Sequence, residues 1–123
     1  LVAQGDIGAN IDADEPEATN FDVTNNGVAS YIFNSDDLEN VENPDLTLTR
    51  GETYTFTVNA SGHPFFIKTV QGNTQADAYN NGVTNNGAQA DMVTFVVPID
   101  APDTLFYNCQ FHSSMTGTIN IVD

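Results

Sequence analysis

Cys109, the chain's single cysteine, stands three residues before His112 and six before Met115 in the run Cys-Gln-Phe-His-Ser-Ser-Met. The other histidine, His63, lies well upstream in Ala-Ser-Gly-His-Pro-Phe-Phe-Ile. A thiolate, two imidazoles and a thioether are the donors of a mononuclear type 1 copper site, in which the methionine is a long, weak axial ligand. Met92 apart, these four residues are every soft or borderline nitrogen and sulfur donor in the chain. They predict one bound copper, with His63, Cys109, His112 and Met115 as its ligands.

Such a metal cycles between Cu(I) and Cu(II) with least rearrangement when its ligands hardly move. Two nitrogens and one sulfur in a plane suit both states. The spacing matters more than any one residue. Cys-x-x-His alone is weak and fits a partial zinc site, but structural zinc usually takes further thiolates, and no second cysteine exists. A Cys–His nucleophilic pair would need an orienting third member, and none stands nearby in sequence. The bland alternative makes Cys109 a small buried hydrophobe, the histidines surface residues and Met115 core filler.

For the four to meet, the chain must bring His63 to the Cys109–Met115 loop, and the surrounding pattern is that of strands. Asn25-Asn26-Gly27 is a hairpin signal between Phe21–Thr24 and Ala29–Phe33. Leu46–Thr49 and Tyr54–Val58 alternate on either side of Arg50-Gly51-Glu52. Phe65–Val70 follows His63-Pro64, and Met92–Val97 ends at Pro98. Thr104–Asn108 and Gly117–Val122 flank the cysteine loop. Asp36–Asn43 is polar and has room for one short helical turn, and residues 71–91, rich in Asn and Gly, read as a long loop with at most a short helix. Seven or eight short strands predict an all-β Greek-key sandwich or barrel. Residues 1–27 read as a peripheral lead-in with the first strand, and residues 28–123 as the metal-binding domain.

The 123 residues suit one domain, and no apolar run is long enough for a membrane helix. The opening Leu-Val-Ala-Gln-Gly is too short and uncharged for an intact signal peptide, and the missing initiator Met suggests a processed or trimmed chain. Seventeen Asp and Glu against Arg50 and Lys68 give a formal charge of −15. That balance makes nucleic acid and anionic membrane surfaces poor partners, since both are gripped by Lys and Arg. The acids read first as a solvated surface and second as a means of steering a cationic redox partner. Eleven of the 17 fall before residue 46, away from the cysteine loop.

The run Leu-Phe-Tyr-Asn-Cys-Gln-Phe-His-Ser-Ser-Met-Thr-Gly-Thr-Ile-Asn-Ile resembles the type 1 copper signature of cupredoxins. The short Cys-x-x-His-x-x-Met loop is like that of amicyanin, where plastocyanins have a longer His-to-Met spacing. Tyr54-Thr55-Phe56 followed by Gly62-His63 is similar to the family's first-histidine region. The resemblance covers about residues 28–123. It implies the cupredoxin sandwich, the same four ligands, and soluble one-electron transfer outside the cytoplasm, in the periplasm or beyond. The expectation set beside it is a monomer that meets a redox protein and has no substrate of its own. The alternative is a copper with an open axial position that reacts with a small molecule such as nitric oxide.

Two positions depart from the family pattern. Pro64 stands where Asn usually follows the first histidine, and proline has no N–H for the copper thiolate. Asn108 stands where Tyr often precedes the cysteine, with Tyr107 one step back on the opposite strand face. Pro64, Phe65 and Phe111 are candidates for an apolar docking patch around His112, with at least one of the two phenylalanines expected in the core.

Overall fold

The computed structural model describes residues 18–123. Of the lead-in and first strand read over residues 1–27, residues 1–17 lie outside the described residues. The described residues form ten strands: β1 (Thr19–Asn26), β2 (Ser30–Asn34), β3 (Val41–Glu42), β4 (Leu46–Thr49), β5 (Thr53–Val58), β6 (Phe65–Lys68), β7 (Val83–Thr84), β8 (Met92–Val96), β9 (Thr104–Cys109) and β10 (Thr116–Val122). They make two sheets, ordered β3-β2-β1-β5-β8-β7 and β4-β10-β9-β6. β1 runs parallel to β5 and β4 parallel to β10, and every other pairing is antiparallel. The all-β sandwich expected from the turn and alternation pattern is therefore present.

Each strand's alternation decides its inner face. Phe21 and Val23, Phe33, Phe56 and Val58, and Val93 and Phe95 point inward from the larger sheet. Leu46 and Leu48, Phe65 and Ile67, Leu105 and Tyr107, and Ile119 and Ile121 meet them from the smaller one. With no Trp available, aromatic contacts bridge the sheets: Phe33 to Tyr107 at 4.9 Å and Phe56 to Phe65 at 5.2 Å between ring centroids. Such pairs contribute about 0.5–1.5 kcal/mol each beyond the area they bury. Tyr107 leans over Gly117, its partner on β10, to donate its hydroxyl proton to the Pro44 carbonyl at 2.6 Å. A side chain at Gly117 would occupy the place of that phenol ring.

Two features differ from the sequence expectations, and the expected turn at Arg50-Gly51-Glu52 gains a role. Asp36–Asn43 contains bends and the short β3 rather than a helical turn. Asn40 and Asn43 adopt φ of 53° and 46°, and left-handed residues end a right-handed helix. The Arg50-Gly51-Glu52 turn joins strands of different sheets, carrying the chain across the sandwich. Residues 71–91 hold β7 and two isolated bridges, Lys68 to Ala78 and Phe65 to Ala88, so the long loop is fastened to the sandwich. No helix among the described residues is long and apolar enough to cross a membrane.

Candidate metal centre

The cysteine loop closes as a tight connection between β9 and β10. The Cys109 N–H donates to the Met115 carbonyl at 2.9 Å, and the Met115 N–H donates to the His112 carbonyl at 3.1 Å. Asn108 pairs with Thr116 across its base, so Cys109 is the last residue of its strand and Met115 the residue just before the next. Asn43 holds the loop from outside, giving its side-chain N–H to the Ser114 carbonyl at 3.0 Å while its side-chain oxygen accepts the Tyr31 N–H at 3.0 Å. The Ser114 hydroxyl donates to the Val28 carbonyl at 3.1 Å.

His63 arrives through register. β6 pairs with β9 so that Phe65 lies opposite Cys109. The Gln110 N–H also donates to the Pro64 carbonyl at 3.1 Å, which extends that ladder by one contact. Before His63 the chain turns at Gly62, whose φ of 85° a β-carbon would strain. The His63 N–H donates to the Ala60 carbonyl at 2.9 Å, and the His63 carbonyl accepts the Tyr31 hydroxyl at 2.7 Å. Both backbone polar groups of the first histidine are thus fixed.

The outcome is a convergent donor set. The Cys109 sulfur is 3.7 Å from Nδ1 of His63 and 3.7 Å from Nδ1 of His112. The imidazole centroids are 4.9 Å apart with planes at 44°. Among the described residues, His63, Cys109 and His112 are the one group of three metal-ligating side chains whose donor atoms lie within 4.8 Å of one another. A single ion holding a thiolate at about 2.3 Å and imidazoles at about 2.0–2.1 Å spreads sulfur and nitrogen by about 3.5–3.8 Å in tetrahedral to trigonal geometry. The observed separations match that range. Met115 is fully buried at the loop's end, and Met92 is exposed and stands outside the set.

Burial divides the site. Cys109 is fully buried and His63 nearly so, while His112 is half-buried and carries the solvent-facing side. Burial lowers the His63 pKa, and the charge of nearby His112 lowers it further, which favours the neutral imidazole that binds metals. Burial likewise drives the Tyr31 phenol well above its ordinary range, with the neighbouring Cys109 and Tyr107 adding to the shift. Tyr31 therefore stays a protonated hydrogen-bond donor beside the thiol.

The expected apolar patch is corrected. Phe65 is fully buried in the core, as foreseen for one of the two phenylalanines, and Pro64 is buried as well. Only Phe111 is exposed, at 55%. Val28, 58% exposed and tied to Ser114 through its carbonyl, joins it at this end of the sandwich. Tyr31 and Asn43 were missed in sequence. Both act across long separations, and no local pattern marks them.

No family model matches this chain, and no curated protein does. Among solved structures, it is similar to a copper protein, rusticyanin, at 19% identity and TM-score 0.56, over 87% of this chain and 79% of that one. Rusticyanin from Thiobacillus ferrooxidans matches at 18% identity and TM-score 0.54, over 87% and 79%. Auracyanin A, a "blue" copper protein from the green thermophilic photosynthetic bacterium Chloroflexus aurantiacus, matches at 14% identity and TM-score 0.54, over 85% of this chain and 99% of that one. At these identities the shared property is the fold, which is the cupredoxin sandwich.

Proposed function

We propose that this chain is a mononuclear type 1 copper protein that carries single electrons between redox proteins, with His63, Cys109 and His112 as strong ligands and Met115 as the weak axial one. The observation carrying the reading is the buried Cys109 sulfur flanked at 3.7 Å by two imidazole nitrogens from separate parts of the fold. Copper bound there supplies a one-electron couple. The protein's part is to hold the donors still. The Phe65–Cys109 pairing, the two backbone hydrogen bonds of His63 and the Asn43–Ser114 contact serve that purpose.

His112 is the least buried of the four candidate ligands, and exposed Phe111, its neighbour in the chain, and Val28, tied to Ser114 of the same loop, suit a brief apolar contact. Little positive charge is left on the surface, because Lys68 is buried and Arg50 is engaged by Asp103 at 2.6 Å and Asp123 at 3.0 Å. A cationic redox protein is the partner this charge balance favours. A single copper per chain, a monomeric state and a location outside the cytoplasm complete the reading.

Nitric oxide chemistry at an open axial position is the alternative, and full burial of Met115 favours the carrier over it. The test is the copper-loaded protein's visible spectrum with and without azide or nitric oxide, alongside stopped-flow oxidation by a cationic redox protein. The carrier reading predicts rapid electron exchange and a spectrum unmoved by the small molecules. Slow exchange with a spectrum that shifts on their addition would reverse it.

A further inference from the structure

Lys68 is one of only two cations in a chain of charge −15, and it is 1% exposed. Phe65 and Ile67 of β6 enter the core, so the alternating Phe66 and Lys68 lie on the other face of the smaller sheet. The segment after β6 folds back over that face, held by the Thr69 N–H donating to the Asp77 carbonyl at 2.9 Å and by the Lys68–Ala78 bridge. Beneath it the Lys68 Nζ donates to the Gly72 carbonyl at 2.5 Å. The Gly72 N–H donates to the side-chain oxygen of Asn108 at 3.0 Å, and the Asn108 amide donates to the Cys109 carbonyl at 2.9 Å. Asn108 is fully buried.

These contacts form one chain from a buried lysine to the backbone of the proposed thiolate ligand. Among the described residues the Gly72 carbonyl is the acceptor of the buried ammonium, and such burial is unfavourable unless something offsets it. Among the described residues no carboxylate pairs with it. Asn108 is the link between the strap and the cysteine, accepting from Gly72 and donating to the Cys109 carbonyl.

We propose that Lys68 is a positioning residue for the metal centre, fixing the Cys109 backbone through Gly72 and Asn108 and placing a buried positive charge on the sheet face opposite the thiolate, where it raises the reduction potential. The inference rests on the copper reading. The oxidised centre carries one more positive charge than the reduced one, so a fixed cation nearby disfavours the oxidised form. Reduction takes one electron from the redox partner and forms or breaks no covalent bond in the protein. This charge opposes the effect of Pro64, which withholds an N–H from the sulfur.

The test compares Lys68→Met, Lys68→Gln and Lys68→Arg in copper-loaded protein by voltammetry and visible absorption, with amide exchange at Gly72 in the metal-free forms. The Met and Gln variants are expected to show a lowered potential with the thiolate band unmoved, and the Arg variant to stay near the parent. Should the Met variant fail to fold, Gln serves alone, since it keeps a donor for Gly72 without the charge. In metal-free Lys68→Met the Gly72 amide is expected to exchange about tenfold faster or more, as a strap that has lost its fastening. A potential equal to the parent's in both neutral variants, with the band intact, overturns the electrostatic role, and unchanged Gly72 exchange overturns the strap. A parent without any thiolate band would instead overturn the copper reading beneath both.

Discussion

Phe65 stands directly opposite Cys109 in the β6–β9 ladder, and this pairing brings His63, two residues before it, to the thiol. Because side chains alternate with a period of two, a one-residue slip would turn Phe65 out of the core and remove the histidine from the site together. Core packing and ligand placement therefore share one register. The site is as rigid as the sandwich under it.

Met115 ends the ligand loop, fully buried, with its carbonyl accepting the Cys109 N–H. A weak axial donor tunes the couple and leaves the three strong ligands in place. Met115→Leu is therefore expected to retain copper at full stoichiometry and to raise the reduction potential in voltammetry. Loss of the metal would make the thioether indispensable to the site, and an unchanged potential and spectrum would remove it from the ligand set.

Pro64 is buried between His63 and Phe65 and has no proton to give the Cys109 sulfur. More negative charge on that sulfur favours Cu(II), so a potential toward the low side is expected, with a colour that departs from plain blue. Pro64→Asn is predicted to raise the potential. A crystal structure in which the new N–H reaches the sulfur, paired with no upward shift, would refute the argument.

His63 carries a pKa below the ordinary 6.5 because burial and His112 both disfavour its charged form. The unfolded chain therefore binds a proton more readily than the folded one. Stability that depends on neutral His63 is present above the unfolded value and is lost as pH falls through it toward the lower folded value. Protonating the many carboxylates relieves self-repulsion and acts the other way, so the informative quantity is a difference. Between pH 7.5 and about 5.5, metal-free parent protein is expected to lose more thermal stability, or gain less, than His63→Gln. Parallel melting curves across that range would dismiss the linkage.

The acidic surface and the apolar Val28–Phe111 end make separable predictions about docking. Attraction between an acidic carrier and a basic partner is screened over about 10 Å at 0.1 M salt. If charge steers the encounter, the second-order rate with a cationic redox protein falls steeply as salt is added, and an anionic partner is slow at low salt. Phe111→Ser is expected to reduce the rate at every salt concentration, because Phe111 is exposed and directly precedes His112 in the loop. Equal low-salt rates for cationic and anionic partners would assign the charge to solubility alone.

The sequence carried most of the strand pattern, since Leu46-Thr47-Leu48 and Tyr54-Thr55-Phe56 alternate visibly and Asn26-Gly27 turns the first hairpin. The two-residue strands β3 and β7 left no such trace, because two residues hold no alternation to detect. Asp36–Asn43 misled for a definite reason: short polar residues tolerate a helical turn, but Asn40 and Asn43 prefer the left-handed conformation here, and Asn43 uses it to reach Tyr31 and Ser114. The four candidate ligands were legible as donor types at a telling spacing. Their supports were not. Tyr31 reaches the His63 carbonyl only once the larger sheet has packed on the smaller, and Asn108 gains its role only when the strap carrying Gly72 closes over it.

Copper titration of the metal-free protein, followed by visible absorption in the parent and in Cys109→Ser, tests the central claim most directly. The parent is expected to develop an intense thiolate-to-copper band that saturates at one equivalent. The Ser variant should keep its far-ultraviolet circular dichroism, since the core aromatics are untouched, and show no such band. A parent that saturates without the band, or a Ser variant as strongly coloured as the parent, would contradict a copper centre built on Cys109.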